Sequence, residues 1–201
     1  MYNCKWTPDD ERYFEIYMSG DGMPYTKHGH YYSWFYFNVK GAKSGEEYTF
    51  SVRNMGFQSK LYKMGLRPVF RVAPHSMKWK RCTGPIRWEL DDAKQNLQVT
   101  WTHTFSNFNP DSDTAYFAWT YPYSFEESLK KTQKWISKFK RWGNIYTQRE
   151  VICYSREKRP MEMLTLTKDV KRQEQREELI EGLFPEGDKD SRPFLFDKPT
   201  I

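Results

Sequence analysis

The chain has 201 residues, 38% of them hydrophobic and 29% charged, with a mean hydropathy of −0.91 and a formal net charge of +6. No run approaches the roughly 18 consecutive apolar residues of a membrane span, and Met1 to Asp10 holds no apolar segment of a secretory signal. Three widely spaced cysteines, Cys4, Cys82 and Cys153, argue against a disulfide framework or a CxxC zinc site and for a reducing compartment.

The first 26 residues are acidic and turn-rich (Ser19-Gly20-Asp21-Gly22), which predicts an extended arm with one strand at Tyr13 to Tyr17. Ser33 to Val39 carries rings on both faces (Trp34, Phe35, Tyr36, Phe37), as a strand buried on both sides would. After a turn at Gly41 to Gly45, Tyr48, Phe50 and Val52 alternate with Thr49, Ser51 and Arg53, the period of a half-buried strand. Arg67 to Val72 is a further run, with Pro68 favouring an edge or a strand start. Trp79, Ile86 and Trp88 mark a short strand pair broken by Thr83-Gly84-Pro85. The clearest strand is Leu97 to Phe105, with Leu97, Val99, Trp101, His103 and Phe105 on one face and polar residues on the other. Asn107 to Asp113 predicts a loop, and Thr114 to Trp119 the strand returning from it. Short strands with polar turns and no intervening helix predict a mainly β fold, an antiparallel sandwich.

The pattern changes at Ser124, a helix N-cap followed by Glu126 and Glu127 in the first turn. The helix is predicted to run to about Trp142 and to stop near Gly143-Asn144. Phe125, Leu129, Trp135, Ile136, Phe139 and Trp142 form its apolar stripe, expected to pack against the sandwich, and lysines load the rest. Val151 to Tyr154 and Met161 to Thr167 read as a hairpin around Arg156 to Pro160. Glu174 to Glu181 reads as a polar, exposed helical insertion ending at Gly182-Leu183-Phe184-Pro185, and Pro199-Thr200-Ile201 as the first residues of another strand.

The apolar content is lopsided, with 24 Ile, Leu and Val against 36 Phe, Trp and Tyr. A ring buries about 150–250 Å², so the core is expected to be built from rings. Charge is lopsided too: the net is −3 over residues 1–26, +10 over 27–87, −6 over 88–129, +9 over 130–172 and −4 over 173–201. Two basic blocks suggest an acidic partner or a solvated surface. Rings beside cations at Lys60, Tyr62, Lys63, Arg67, Arg71 and Lys78-Trp79-Lys80-Arg81 could stack nucleic acid, but the preferred reading of Trp79 is a core ring flanked by cations.

Catalytic signatures are missing. His28, His30, His75 and His103 begin no H-x-x-E or H-E-x-x-H motif; His28-Gly29-His30 lacks a third metal ligand, and His103 reads as a hydrogen-bonded core residue. Cys82 and Cys153 read as structural, Asp91-Asp92 sits in an exposed turn, and no phosphate-binding or nucleophile-elbow motif occurs.

A run of landmarks carries more. Trp34-Phe35-Tyr36-Phe37, Asn54, Ser59 to Pro68, Trp79-Lys80-Arg81 and Tyr116 to Phe125 stand in an order that closely resembles the N-terminal domain of the cytosolic carboxypeptidases, members of the M14 zinc metallocarboxypeptidases. Arg149 to Tyr154 and Met161 to Thr167 look like the opening hairpin of the carboxypeptidase domain. The insertion Glu174 to Pro185 with Arg192-Pro193-Phe194 is similar to the subfamily that acts on branch-point glutamate. The resemblance spans about residues 30 to 201. It implies a β-sandwich over 1–124 (1–26 an arm), a basic linker helix over 125–148, and over 149–201 the first strands of an α/β carboxypeptidase domain. It implies an enzyme that removes glutamate from tubulin tails in the cytoplasm, with cytoskeletal or ciliary association as an extension.

The family's first zinc motif, His-Pro-Gly-Glu, would follow a strand equivalent to Pro199-Thr200-Ile201, so this chain is expected to be a truncated or short form. It is expected to carry no zinc ligand and no catalytic residue, zinc belonging to the full-length family, and to be inactive alone. Asn109-Pro110-Asp111 is superficially similar to a family catalytic motif but stands too early in the chain. The expected partners are tubulin or other glutamate-rich tails and the remainder of the carboxypeptidase domain in cis, with no membrane. The expected acidic-tail contacts are Lys60, Lys63, Arg67, Lys80, Arg81, Lys134, Lys138 and Arg141. The alternatives are a non-catalytic module that holds acidic tails and, less favoured, a nucleic-acid-binding domain.

Overall fold

The computed structural model describes residues 3–7, 10–20, 31–56, 58–91 and 96–197, with backbone only at 3–7. The chain is mainly β and divides into two compact units, Met1–Pro122 and Tyr123–Ile201.

The first unit holds a five-stranded sheet built from β1 (Asn3–Thr7), β2 (Asp10–Tyr17), β4 (Glu47–Met55), β8 (Leu97–Thr104) and β7 (Ile86–Leu90), in the order β1-β2-β4-β8-β7. A second sheet joins β3 (Tyr36–Val39), β9 (Thr114–Ala118), β5 (Val69–Ala73) and β6 (Lys80–Arg81), in the order β3-β9-β5-β6. The period of two places Phe50 and Val52 of β4, and Val99 and Trp101 of β8, on one buried face. Against them lie Phe37 of β3 and Phe117 of β9, with ring centroids 5.7 Å (Phe37–Phe50), 5.0 Å (Phe50–Phe117) and 6.2 Å (Trp101–Phe117) apart. The expected core of rings is therefore present, and tilted or stacked pairs at these distances add attraction beyond burial alone.

Several expectations are corrected by this topology. The sheets are not purely antiparallel: β2 and β4 run parallel, with Phe14 opposite Phe50. A parallel neighbour needs a long crossover, and the chain between them detours through β3 in the other sheet. Residues 3–7 and 10–17 are no free arm, since β1 and β2 pair as a hairpin and extend the sheet. The Asn54 carboxamide secures the chain just past β2, accepting from the Met18 N–H at 2.8 Å and donating to its carbonyl at 2.9 Å. Of Ser33 to Val39 only 36–39 is strand, and its two faces differ: Phe37 packs on the core while Trp34 before it is exposed. The strands around Thr83-Gly84-Pro85 do not pair with each other, because β6 joins β5 and β7 joins β8. Gly84 marks the switch between sheets: a Cβ there would stand 2.6 Å from the Thr102 carbonyl oxygen. Likewise β9 does not return beside β8 but crosses to lie between β3 and β5.

In the second unit, α2 (Phe125–Trp142) follows its caps as predicted. The Ser124 hydroxyl accepts from the Glu127 N–H and the Glu127 carboxylate from the Ser124 N–H, a capping box. Gly143 ends the helix in the left-handed region at φ 72°. The apolar stripe is narrower than predicted, because at about 100° per residue Trp135 and Trp142 fall on its flank. They are 42% and 55% exposed, and the helix buries no residue fully. Within its unit the helix packs beside β10 (Ile145–Tyr154). β10 pairs antiparallel with β11 (Pro160–Lys168), the predicted hairpin. The predicted helix at Glu174 to Glu181 is absent. Residues Arg172–Arg176 form β12, paired with β13 (Phe194–Phe196), and the chain after Arg176 is irregular. A polar segment with no apolar stripe has little to hold a helix, whereas here the Arg176 guanidinium lies 3.8 Å from the Phe194 ring and Phe196 packs on Tyr146 at 5.1 Å. The predicted strand at Pro199-Thr200-Ile201 lies outside the described residues.

Candidate functional site

The basic residues singled out from the sequence fall into one group in each unit. In the first, the short helix α1 (Ser59–Lys63) is anchored by buried Tyr62 and turns Lys60 and Lys63 outward. Arg67 is half-buried and its Nη1 donates to the carbonyls of Cys82 at 3.3 Å and Gly84 at 2.8 Å, so its guanidinium ties the sheet switch in place. Lys80 and Arg81 are both exposed and, being successive strand residues, point to opposite faces. Arg81 lies over the exposed Tyr121 ring at 5.7 Å. In the second unit, Lys134, Lys138 and Arg141 follow one another at helical spacing on the exposed side of α2. Lys138 lies 5.0 Å from the Trp142 ring, and Lys131 sits 5.4 Å and 5.2 Å from the rings of Tyr123 and Trp135. Rings on the stripe's flank thus serve as plates for cations. Among the described residues, Lys60, Lys63, Lys80, Arg81, Lys134, Lys138 and Arg141 have no carboxylate partner.

The sequence reading missed Arg71 and Trp79 as a pair. Trp79 is no core ring; it is half-buried, 6.1 Å from Tyr36, and its face meets the Arg71 guanidinium at 4.9 Å. Tyr116 flanks the same guanidinium at 5.0 Å. The β5–β9 register, with Arg71 opposite Tyr116, brings them together, and nothing within either segment alone reveals it.

The nucleophiles and bases are occupied elsewhere. Burial pushes the Cys82 thiol up to about 12, away from the thiolate a nucleophile needs. The Cys153 thiol points at the Met161 sulfur, 3.6 Å away. His103 is not the hydrogen-bonded core residue expected. Its ring packs edge-on against Phe70 (4.4 Å), Phe105 (4.7 Å) and Phe117 (5.2 Å), and burial pushes its imidazole down to about 4. His75 Nε2 lies 2.9 Å and 3.0 Å from the two carboxylate oxygens of buried Asp113. Hydrogen bonds from the Asn109 N–H and the Ser112 hydroxyl, with His75 alongside, hold that carboxyl below the usual range. In this cluster the Ser112 hydroxyl donates to the Asp113 carboxylate rather than to the imidazole, which bonds the same carboxylate. Asn109-Pro110-Asp111 is a tight loop in which the Asp111 N–H donates to Asn109 Oδ1. His28-Gly29-His30 lies outside the described residues, as does Asp92 of the acidic pair; Asp91 accepts from the Asn96 N–H at 3.1 Å. Among the described residues no three His, Cys, Asp or Glu side chains gather as metal ligands would.

The second unit holds a charge network that no motif announced. Arg192, 1% exposed, donates from Nη1 to Glu150 Oε1 at 2.5 Å, from Nη2 to Glu177 at 3.4 Å and from Nε to the Glu178 carbonyl at 3.2 Å. Its guanidinium also stacks 3.7 Å from the Phe184 ring. Arg149 and Glu162 pair across β10 and β11 nearby. These contacts tie β10 to the irregular chain 177–193 and are structural.

Comparison with known proteins places this geometry among relatives. Residues 6–120 match the family model described as the cytosolic carboxypeptidase N-terminal domain. Human cytosolic carboxypeptidase-like protein 5 is 30% identical over 172 residues, covering 82% of this chain and 19% of that protein. Cytosolic carboxypeptidase 3 of Bos taurus is 27% identical over 71% of this chain and 15% of its own length. Cytosolic carboxypeptidase 2 of Xenopus tropicalis is 30% identical over 52% of this chain and 11% of its own. The chain thus spans about a fifth of the length of the first of these curated relatives. A solved metallo-carboxypeptidase from Pseudomonas aeruginosa aligns with a TM-score of 0.49 at 17% identity, over 81% of this chain and 36% of that one, a likeness too distant to carry an argument. No helix among the described residues is long and apolar enough to cross a membrane.

Proposed function

Because the chain belongs to the cytosolic carboxypeptidase N-terminal domain family, we propose that it is the N-terminal part of a tubulin-deglutamylase-like metallocarboxypeptidase. In this reading the first unit is the family's β-sandwich N-domain, and the hairpin of the second opens the α/β carboxypeptidase domain. It works in the cytoplasm on glutamate-rich tails, tubulin's among them, including branch-point glutamate. The observation that carries the proposal is the set of exposed cations without carboxylate partners on α1, β6 and α2. Unneutralised positive charge attracts an acidic tail over roughly a Debye length, about 10 Å at 0.1 M salt, and raises its encounter rate. Lys60, Lys63, Lys80, Arg81, Lys134, Lys138 and Arg141 serve this contact. Arg67, engaged with two carbonyls, positions the segment that carries Lys80 and Arg81.

The family's zinc does not fit the described residues. The Cys82 thiol is held protonated, His75 is taken by Asp113, and His103 is packed among rings. A second reading, a module that holds acidic tails without cutting them, is favoured by the same occupied side chains.

Anisotropy of a labelled, glutamylated tubulin-tail peptide titrated with the 201-residue chain tests binding. Tight binding that weakens with salt, and weakens again in the Lys60→Glu, Lys63→Glu, Lys138→Glu variant, is expected. Affinity unchanged by the reversals at low salt would sink the steering role. Zinc-dependent release of glutamate by the purified chain would overturn the second reading.

A further inference from the structure

The five-stranded sheet ends on β7, which has no neighbouring strand on its far side among the described residues. Which of its groups face that open side follows from the register. The Asp91 N–H donates at 2.9 Å to the carbonyl of Asn96, which stands opposite it one step beyond the Leu90–Leu97 pair. Opposite residues that bond in this way form a hydrogen-bonded pair, and such pairs alternate with non-bonded ones along an antiparallel ladder. The register runs unbroken through Glu89–Gln98, Trp88–Val99, Arg87–Thr100 and Ile86–Trp101. Arg87 and Glu89 therefore bond to β8, whereas Ile86, Trp88 and Leu90 turn their N–H and C=O groups to the open edge. Among the described residues none meets those outward groups.

Edges are commonly guarded by Pro, Lys or a bulge, or by being very short. β7 has no bulge, and no Pro or Lys among its five residues. Arg87 to Leu90 are all exposed, Trp88 by 38% and Leu90 by 40%. The edge strand β6 of the other sheet is different: it has two residues, both cations, so a second copy would meet like charge there. About its centre β7 reads apolar, cation, ring, anion, apolar. A second β7 laid antiparallel on the edge, with the two Trp88 residues opposite each other, sets Arg87 of each copy against Glu89 of the other and Ile86 against Leu90. In that register the outward N–H and C=O groups of Ile86, Trp88 and Leu90 face their counterparts. Arg87 and Glu89 then fall at the non-bonded pairs, where side chains stand closest, and opposite charges there attract. Among the described residues neither has an ion-pair partner in its own chain. One two-fold axis thus satisfies backbone, charge and apolar groups together, as a self-complementary interface requires.

We infer that β7 is a homodimer interface, at which two copies of this chain pair antiparallel through Ile86–Leu90 about a two-fold axis at Trp88 and join their five-stranded sheets into one. A five-residue edge is small beside a standard interface of about 1,200–2,000 Å², so the dimer is weak and depends on concentration. The other occupant to weigh is an extended acidic segment, because α1, packed against β7, carries exposed Lys60 and Lys63. Such a segment would leave Glu89 facing like charge, whereas a second copy offers a partner to Arg87 and Glu89 alike. The inference does not rest on the tail reading.

Sedimentation velocity of the whole chain from about 10 to about 500 µM, a span suited to a small interface, should show monomer passing into dimer. Arg87→Glu sets glutamate against glutamate across the axis, and Glu89→Arg sets arginine against arginine. Each alone should weaken self-association by roughly tenfold or more. Mixed together, the two variants should pair about as well as the unchanged chain, since every glutamate at the edge then meets an arginine. Both positions are exposed, so folding is little disturbed, and exchange of the core amides in β4 and β8 checks this. On association the Trp88 and Leu90 amides should slow in hydrogen exchange more than those of Arg87 and Glu89, which already bond to β8. A chain monomeric throughout, association that both reversals leave unchanged, a mixture no better than either variant alone, or Trp88 and Leu90 amides unprotected on association would overturn the proposal. If the chain stays monomeric and a glutamylated peptide protects those amides instead, the edge seats a tail and not a second copy.

Discussion

The two units are held by different forces. The first buries Phe35, Phe50, Trp101, Phe105 and Phe117 almost completely, with each ring touching others. The second has a helix with no fully buried residue and relies on Tyr146, Phe184 and the buried Arg192 with its carboxylates. Apolar burial is non-directional and tolerates small shifts. A buried ion pair depends on geometry, and losing one partner strands the other. The first unit should therefore respond to changes of volume and the second to changes of charge.

Trp101→Ala should break that contrast most severely. It removes the largest of the fully buried side chains and should cost about 3–5 kcal/mol, read by urea denaturation and by amide exchange in β4 and β8. A loss under about 1 kcal/mol, the level of an ordinary surface change, would mean the rings do not carry the unit. Arg192→Met should cost about 3 kcal/mol, the lower end for a broken buried pair because its Glu177 contact is half exposed. The loss should appear as faster exchange in β10 and β11. Adding Glu150→Gln should recover part of it, since the stranded carboxylate is 8% exposed; no recovery would argue that packing on Phe184 matters more.

Acid should separate the units next. An unfolded histidine protonates near 6.5, whereas folded His103 stays neutral down to about 4. Its contribution is whole above about 6.5 and is lost as pH falls towards 4. Asp113, held below its ordinary 3.8, contributes above that value, and this is lost as pH falls through its lower folded value. In urea midpoints against pH, His103→Phe should flatten the upper slope and leave the lower one. An unchanged upper slope would remove His103 from the account. Ser124→Ala should cost about 1 kcal/mol by opening the capping box, seen as lost ellipticity from α2. Lys138→Gln should be smallest, within about 0.5 kcal/mol, because an exposed cation over a ring is worth little.

Much of the local structure was legible. Leu97 to Phe105 alternates so regularly that only a strand fits, and Ser124 and Gly143 mark the two ends of the helix between them. The candidate cations were legible as exposed groups, apart from Arg67, whose carbonyl partners at Cys82 and Gly84 are 15 and 17 residues away. The stacking of Arg71 on Trp79 and Tyr116 was not legible, because it depends on the pairing that sets Arg71 of β5 opposite Tyr116 of β9.

By itself the sequence determined which residues of β4 and β8 turn inward, that rings would make the core, where the helix begins and about where it ends, and, through its landmarks, the family. Those are properties of neighbouring residues: a period, a cap, a charge count. The tertiary structure alone decided which sheet each strand joins, that β2 lies parallel to β4, that 172–176 is strand rather than helix, and that Arg192 is buried. Alternation says which face a side chain takes but not which strand lies beside it. The partner of a buried charge is chosen by whatever the fold brings within hydrogen-bonding distance, here Glu150, 42 residues away.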